Sequence, residues 1–312
     1  MTDTSITAIV TTYNRANIVS DAILSIFSQS HPVDELIVID DGSSDNTQHV
    51  IKEVFKDAPI RTKYIYKKNG GMASALNQGI TEAKSNWVAF LDDDDTWNPD
   101  HIEKCFSFIS RHPQLGAVMG LRHEGGNLQS PPEKLLGDFS PIDQLSRFLI
   151  RKRAPLVRPF FTTALGTIVV RSDHARSLMF SGHVGARLDI HFIWLLGELT
   201  DIGLNLQSHG TGRQFRVSYL STDQNAPDHI KIEIAIRRAS DGIRMLEEIL
   251  SKKTHSMTHE FTEAYEREII SLIWSLRKAK KTREAIASII KYRENLPLKT
   301  QIRQFILSAI RQ

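Results

Sequence analysis

Residues 35–55 read ELIVIDDGSSDNTQHVIKEVF, in which a strand pattern passes directly into a helical one. Residues 36–39 are aliphatic and mainly β-branched, which is typical of a short buried strand. A turn of small polar residues follows, and residues 47–55 have the apolar spacing of an amphipathic helix. A strand followed at once by a helix is half of a crossover unit, and such units build parallel sheets.

The same alternation of strand and helix patterns extends through the first 120 residues. Besides residues 35–40, the strand-like segments are 6–12, 62–67 and 86–92. Later segments suggest a surface excursion rich in Gly, Pro and charge at 121–165, a strand at 165–173, an amphipathic helix from Asp189, and helices from about 228 onward. We therefore expect an α/β fold with a mainly parallel central sheet flanked by helices, followed by a helical C-terminal extension.

The bulk composition excludes several classes of protein. The chain has 312 residues, 41% of them hydrophobic and 24% charged, with a formal net charge of +3. That charge is too small to indicate a nucleic-acid partner. The single cysteine, Cys105, allows no internal disulfide and suits a reducing compartment. Because we see no signal-peptide pattern and no run of 18 apolar residues, we expect a cytoplasmic protein, at most peripheral on a membrane.

Four carboxylates follow one strand directly in WVAFLDDDDTWNPD, residues 87–100. Mg²⁺ and Mn²⁺ prefer oxygen ligands of this kind and commonly bridge to phosphate. Since alternate residues of an extended segment point the same way, we expect at most two of the four to share one ion. A cap on the helix that starts near Asn98 would explain one Asp. Four exceed that need, so a functional site is favoured.

A second polar cluster ends the strand at 35–40. Asp40 and Asp41 are acceptors suited to a base edge and a ribose, and Gly42 permits a tight turn. A plain strand-to-helix turn capped by Ser44 or Asp45 explains this segment alone equally well. The glycines after Asn69 add a third, weaker signal, because they let backbone approach a ligand or close a helix.

Taken together, four segments resemble family 2 of the glycosyltransferases, which have the nucleotide-diphospho-sugar transferase (GT-A) fold. They are AIVTTYNR (8–15), LIVIDDGSSDNT (36–47), NGGMASALNQGI (69–80) and WVAFLDDDDTWNPDHIEK (87–104). The resemblance covers about residues 5–220. It implies inverting transfer of a single sugar from a nucleotide-diphosphate donor, with UDP- or dTDP-sugars favoured. The acceptor would be a hydroxyl of a glycan, lipid-linked or small molecule, and Mn²⁺ or Mg²⁺ would lie on the pyrophosphate.

The resemblance also assigns roles to individual residues. Those implied in nucleotide and donor binding are Thr11 and Tyr13 beside the base, Asp41 at the base edge, Asp40 supporting its turn, Asn69, Gly70, Asp92, and Asp93 near the ribose or sugar. Asp94 is the implied metal ligand. Asp189 is the implied catalytic base, because it opens a helix after the strand at 165–173. Leu188 departs from the Glu that usually precedes this Asp in the family.

The domain organisation follows from the same resemblance. We expect a catalytic domain at 1–225, with a nucleotide-binding half at about 1–120 and an acceptor half at about 121–225. The helical extension is expected at 226–312. The last 36 residues carry ten Lys or Arg against two Glu, and QIRQFILSAIRQ (301–312) has one apolar face. Peripheral contact with an anionic membrane through these basic helices is therefore a further hypothesis. The oligomeric state stays open.

Two other functions remain as alternatives at this stage. FLDDDDT also resembles the nucleophile motif of haloacid-dehalogenase-like phosphatases, with Asp92 as nucleophile and Asp94 as acid/base, although that motif normally lies near the start of such chains. A catalytically silent sugar-nucleotide-binding subunit is the other alternative, and Leu188 is its best support. A processive polysaccharide synthase is disfavoured, because RQFRV (213–217) lacks the Trp of the Gln-x-x-Arg-Trp motif. Polysaccharide biosynthesis by single additions remains the expected context.

Overall fold

A computed structural model describes residues 4–124, 127–128, 140–143, 147–150, 165–185, 188–212, 227–251 and 258–292. The predictions made for 213–217 and for the tail at 301–312 lie outside these residues. By contacts the chain divides into two compact units. The first consists of Met1–Gly182 and Leu188–Phe215, and the second of His183–Arg187 and Arg216–Gln312. The predicted functional division at residue 225 stays a prediction.

Within the described residues, the first unit contains one sheet of eleven strands. They are β1 Ile6–Thr12, β2 Glu35–Asp40, β3 Arg61–Tyr66, β4 Trp87–Asp92, β5 Asp95–Trp97, β6 Ala117–Glu124, β7 Asn127–Leu128, β8 Ser140–Asp143, β9 Arg147–Ile150, β10 Ile168–Arg171 and β11 Ile202–Gly212. Their order is β3-β2-β1-β4-β10-β6-β11-β9-β8, with β5 paired to β11 and β7 to β6.

Six helices of the described chain belong to this unit. They are α1 Val19–Phe27, α2 Thr47–Phe55, α3 Met72–Glu82, α4 His101–Arg111, α5 Ser172–Leu178 and α6 Leu188–Leu199. A 3₁₀ turn at Leu165–Thr167 leads into β10. The predicted α/β fold is confirmed, and the strands and helices predicted in the first 111 residues all form.

The strands β1, β2, β3 and β4 form a continuous parallel part of the sheet. β1 runs parallel to β2 and β4, and β2 runs parallel to β3. In register, Thr12 pairs with Asp40, Asp40 with Tyr66, and Thr11 with Asp92. The carboxyl ends of four strands therefore meet at one edge, where parallel sheets of this kind bind ligands.

Helices cover both faces of β1, β2 and β4, which explains why these strands are mainly apolar along their whole length. α1 and α4 bury Ile23 and Phe108 against one face, in a cluster with Val10 and Leu91. The other face carries Ile9 and Phe90, which are paired in register. A side chain at Gly79 of α3 would overlap Ile9, so α3 lies directly on this face.

The same face receives α6 through a cluster of three phenylalanines. Phe90 packs edge-on against Phe180 and Phe192, with ring centroids 5.4 and 6.0 Å apart, and the two partners stack on each other at 4.3 Å. α6 is buried on nearly every side, including Leu188, His191 and Trp194. The prediction of an amphipathic helix was wrong here, because packing surrounds the helix.

Chain direction sets the end of α6 that reaches the ligand-binding edge. β10 runs antiparallel to β4 and ends where β4 begins, since Arg171 pairs with Trp87. β11 starts at this same edge, opposite the carboxyl ends of the parallel strands, because its Ile202 pairs with Ala117 at the start of β6. α6, which precedes β11, therefore descends from the carboxyl edge of the parallel strands. Its first turn, with Asp189, lies at that edge.

The segment predicted as a surface excursion contributes to the sheet. β8 and β9 pair antiparallel, and β9 also pairs with β11. These short strands extend the sheet past β11. The predicted surface excursion over 121–165 thus includes strands that the sequence did not predict.

The described part of the second unit is helical, as predicted for the C-terminal extension. Its helices are α7 Asp228–Ser251, α8 Thr258–Lys278 and α9 Thr282–Tyr292. Tyr265 ties them together, because its hydroxyl donates to Glu247 at 3.0 Å and its ring meets Tyr292 edge-on. Among the described helices, none is long and apolar enough to cross a membrane.

Candidate active site

The candidate site begins at the end of β2, where two adjacent aspartates have different environments. Asp40 is fully buried, and it accepts from the Ser43 amide and the Tyr64 hydroxyl, both at 2.7 Å. Burial, reinforced by the bond to Asp40, raises the pKa of the Tyr64 hydroxyl well above its usual range. Tyr64 thus remains a donor at every physiological pH. Asp40 thus holds the turn at the end of β2 in shape.

Asp41 is the centre of a compact loop. Its Oδ1 accepts from Lys67 Nζ at 2.6 Å and from the Gly70 amide at 3.0 Å, and its Oδ2 accepts from the Gly71 amide at 2.7 Å. These bonds bring the Asn69-Gly70-Gly71 segment against the end of β2. The structure thereby brings together Asp41, Asn69 and Gly70, which the sequence predicted as one nucleotide-binding group.

Gly42 makes this approach sterically allowed. Its φ is +90°, and a Cβ there would lie 2.9 Å from the Asn69 amide nitrogen and 3.2 Å from the Lys67 carbonyl oxygen. A side chain would therefore both strain the backbone and push the two segments apart.

The end of β1 contributes a second wall. Thr11, near the end of β1, pairs with Asp92 of β4. Tyr13, two residues after Thr11, is 49% exposed. Asn14 has a φ of 53°, and its side-chain carbonyl accepts from the Ser44 amide at 2.8 Å. The β1 loop is thus fastened to the β2 loop. Tyr13 is exposed, so an aromatic ring is accessible at this loop.

Three members of the acidic run converge. One carboxylate oxygen from each of Asp92, Asp94 and Asp95 lies within 4.8 Å of the other two. Asp92 ends β4 and Asp95 begins β5, and the chain turns between them. Because the segment turns rather than running straight, three carboxylates can share one centre instead of the two expected.

Asp93 is not a member of this group. It accepts from the Thr12 hydroxyl at 2.7 Å and lies 4.0 Å from Arg15. Burial is the main cause that raises the pKa of Asp93 to about 6, and Thr12 and Arg15 oppose it. Asp93 therefore links the end of β4 to the β1 loop.

The three converging carboxylates fit a divalent cation by their chemistry. Hard oxygen ligands suit Mg²⁺ and Mn²⁺, and two of the three side chains are partly exposed while Asp95 is buried. A bound ion would stabilise this concentration of negative charge. Sequence reasoning predicted Asp94 and did not assign Asp95, although its place in the run was a usable signal.

The 3₁₀ turn that packs beside this cluster was not predicted from the sequence. The 3₁₀ turn brings Gly166 beside it, and a Cβ at Gly166 would lie 3.5 Å from Asp95 Oδ2. The buried Trp97 holds that turn, since its Nε1 donates to the Gly166 carbonyl at 2.6 Å. Trp97 is therefore a framework residue of the site.

Asp189 lies in the first turn of α6, half-buried, and its Oδ1 accepts from the Ile190 amide at 2.8 Å. Phe192, one helical turn later, contacts Phe90, two residues before Asp92. Thr11 and Asp92 share the sheet face of Ile9 and Phe90, because they lie two residues further along each strand. Asp189 and Asp92 thus belong to the same face and the same edge.

Comparison with known proteins agrees with this arrangement. Residues 7–165 match the glycosyl transferase family 2 profile. The chain belongs to glycosyl transferase family 2. This family 2 chain is 36% identical over 118 residues to an uncharacterized glycosyltransferase of Nostoc sp., covering 38% of the chain and 35% of the relative.

Other curated relatives are similar over the same portion. The putative teichuronic acid biosynthesis glycosyltransferase TuaG of Bacillus subtilis is 36% identical over 105 residues, which covers 33% of the family 2 chain and 41% of TuaG. The poly-beta-1,6-N-acetyl-D-glucosamine synthase of Staphylococcus epidermidis is 37% identical over 108 residues, covering 35% and 26%. The matched segment thus spans well under half of these relatives.

Solved structures match over most of the chain. TarS 1-349 of S. aureus, solved in complex with UDP-GlcNAc, has a TM-score of 0.57 and 17% identity, and covers 95% of the family 2 chain and 93% of TarS 1-349. The mannosyltransferase PcManGT from Pyrobaculum calidifontis, solved with GDP-Man and Mn²⁺, has a TM-score of 0.60 and 16% identity, covering 98% and 79%. At these identities the likeness establishes the fold.

Proposed function

We propose that the protein transfers a sugar from a nucleotide-diphosphate donor to a hydroxyl group of an acceptor. The observation that carries this proposal is the meeting of three carboxylates with the Asp41 loop at one sheet edge. The three carboxylates would suit a cation bound to the pyrophosphate, and the Asp41 loop would suit the base. Membership in family 2 and the UDP-GlcNAc complex of TarS support it.

Hydrogen-bond counting at Asp41 favours a UDP- or dTDP-sugar. A carboxylate offers about four acceptor positions. Lys67, Gly70 and Gly71 occupy three of them, and Oδ2 keeps one. Uracil and thymine present one N–H donor, at N3, whereas guanine presents donors at both N1 and N2. Asp41 therefore matches the pyrimidines, with Thr11 and Tyr13 beside the base.

Asp92, Asp94 and Asp95 would hold Mn²⁺ or Mg²⁺. When bound, the ion neutralises charge that grows on the leaving diphosphate. This assigns Asp92 to the cation in addition to the donor-binding role predicted for it. Asp93 keeps its proposed place near the ribose or sugar, where its bond from Thr12 orients it.

Asp189 would accept the proton of the acceptor hydroxyl. A positioned general base typically contributes about 10²–10⁴ in rate. Attack by the acceptor opposite the leaving diphosphate, with one base and no enzyme nucleophile, gives inversion at the anomeric carbon. Leu188 is buried, so it serves packing where the family usually carries Glu, and Asp189 remains the candidate base.

Activity and binding measurements together test this proposal. Purified protein is mixed with UDP, dTDP, GDP and UDP-GlcNAc, with and without Mn²⁺, and thermal shift and release of nucleoside diphosphate are recorded. We expect Mn²⁺-dependent stabilisation by the pyrimidine nucleotides, and loss of that dependence in Asp94→Ala. Asp189→Asn should keep binding and lose about 10²-fold or more in turnover.

The same experiment separates the alternatives. Binding without donor turnover, unchanged by Asp189→Asn, would favour the silent subunit. Metal-dependent hydrolysis of p-nitrophenyl phosphate would favour the phosphatase, which the family membership argues against. If Asp94→Ala binds and turns over donor like the parent, the proposed metal site is wrong.

We also propose that the second unit contacts an anionic membrane. Its described surface leaves large apolar side chains exposed at Ile270, Trp274, Ile286 and Ile290, with 40–60% of each accessible. Exposed cations lie among them in sequence at Lys278, Lys280, Lys281, Arg283 and Lys291. Basic charge beside an exposed Trp suits the headgroup region of anionic lipid. A cytoplasmic location remains a prediction.

A further inference from the structure

The half-buried Asn77 of α3 holds a backbone position that is distant in sequence. Its Nδ2 donates to the Phe180 carbonyl at 2.9 Å, and its Oδ1 accepts from the Phe180 amide at 2.7 Å. One side-chain amide thus pairs with both polar groups of one residue, as a neighbouring strand would. The two residues are 103 positions apart.

The segment held in this way needs an external anchor. Met179 directly precedes Phe180 and ends α5 with a φ of 49° and a ψ of 164°. That conformation is unfavourable for a residue with a Cβ and persists only where surrounding contacts impose it. The pair of bonds from Asn77 provides such contacts at the next residue.

Phe180 passes this constraint to α6. Its ring stacks on Phe192 at 4.3 Å with 18° between the planes, and both rings pack edge-on against Phe90. Phe192 lies one helical turn after Asp189, and Phe90 lies two residues before Asp92. The chain of contacts from Asn77 therefore ends at the two elements that carry the proposed base and the proposed metal ligand.

We propose that Asn77 is a positioning residue for Asp189, fixing the first turn of α6 relative to the end of β4 through Phe180 and Phe192. This inference rests on the proposed role of Asp189 as base. Misplacement of a catalytic group by a fraction of an ångström to an ångström costs turnover far more than it costs binding of the donor.

The surroundings of Asn77 distinguish this role from simple packing. Asn77 is half-buried on a groove of about 380 Å³, which is also lined by Ser74, Gln78, Thr81 and Phe180. The fully buried side chains of α3 belong to Ala75, Leu76 and Ile80 rather than to Asn77. Removing the amide therefore leaves the packed side of the helix intact.

Asn77→Ala and its matched control Gln78→Ala test the inference. Gln78 lines the same groove, and its side-chain amide donates to Glu82 on the same helix at 2.8 Å. Release of UDP from UDP-GlcNAc is measured in the presence of Mn²⁺. We expect Asn77→Ala to lower the kcat of this reaction about 10- to 100-fold, while the KM for the donor changes less than about 3-fold. Gln78→Ala should retain parental values.

A double-mutant comparison with Asp189→Asn separates this inference from the proposed function. If Asn77 acts through Asp189, adding Asn77→Ala to Asp189→Asn should cause little further loss in kcat. Should the two losses multiply, or should Asn77→Ala keep the parental kcat, the positioning role is wrong. A parental rate in Asp189→Asn alone would instead refute the assignment of the base.

A milder variant keeps the test valid if Asn77→Ala folds poorly. Asn77→Asp keeps the acceptor for the Phe180 amide and loses the donor to its carbonyl. We expect it to fold, as measured by Tm and circular dichroism, and to have a lowered kcat with the donor KM preserved. If the variant lowers Tm and donor affinity together with kcat, the inference is contradicted, because such a combined loss indicates a structural role.

Discussion

At the scale of single residues, Lys67 would set how many acceptor positions of Asp41 are left for the base of the proposed donor. Replacing Lys67 with Met removes the donor at 2.6 Å and frees one position on Oδ1. We expect the variant to gain relative affinity for GDP over UDP, because guanine can then use both of its donors. The measurement is the ratio of the GDP and UDP thermal shifts in the presence of Mn²⁺.

Lys63→Met is the matched control for this change. Lys63 lies on the neighbouring strand β3 and pairs with Glu82 at 2.6 Å, so the same charge is lost elsewhere. Its GDP-to-UDP ratio should equal that of the parent. An unchanged ratio in Lys67→Met would show that Lys67 does not set the base preference.

Residue identity alone does not separate the roles of neighbouring acids. Asp40 and Asp41 are adjacent and chemically identical, yet Asp40 is fully buried on Ser43 and Tyr64 while Asp41 binds the glycine loop. Strand alternation predicts that they point apart. Most of their partners come from residues more than 20 positions away, which local pattern does not specify.

At the scale of elements, Gly42 joins β2 to the glycine loop, and Gly42→Ala should break that junction. The φ of +90° strains any Cβ, and the Cβ would meet the Asn69 amide nitrogen at 2.9 Å. We expect a loss of about 1–3 kcal/mol in the free energy of unfolding and weaker UDP binding. Urea unfolding and thermal shift measure the two effects.

Gly182→Ala is the control, because, apart from its chain neighbours, no atom of the described residues lies within 4 Å of the position that a Cβ would take there, and its φ is outside the left-handed region. Its free energy of unfolding should stay within about 0.5 kcal/mol of the parent. If Gly42→Ala is equally harmless and binds UDP normally, the close approach of the two loops is not required.

Elements with a strong local period were predictable, and those defined by distant partners were not. β1, β2 and β4 are short aliphatic segments between turns, so hydrophobic pattern alone located them. β5 has three residues and exists because β11 pairs with it. α6 departs from the predicted amphipathic pattern because it is buried on nearly every side, and His191 within it is buried too.

At the scale of the whole molecule, local pattern does not determine strand order. The crossover units predicted the parallel strands β3, β2, β1 and β4. β10 enters antiparallel between β4 and β6, which are themselves parallel to each other. That insertion is set by long-range pairing, and because of it Asp189 lies at the same edge of the sheet as Asp92. The candidate base could therefore be assigned from resemblance but not placed from pattern.

The second unit gives the last prediction, which concerns membrane contact. Trp274 is 49% exposed, with Lys278 4.1 Å above its ring, and Ile270 lies one turn away on the same side of α8. We expect the full chain to sediment with vesicles containing phosphatidylglycerol at low salt and to remain in the supernatant with phosphatidylcholine alone, since anionic charge attracts the basic residues.

Trp274→Ala should reduce the bound fraction several-fold, because an interfacial Trp anchors by its ring. Leu24→Ala removes an equally exposed apolar side chain, 51% accessible on α1 in the first unit, and should bind like the parent. Equal binding by Trp274→Ala and Leu24→Ala, or no binding by the parent, would exclude this surface as the site of contact.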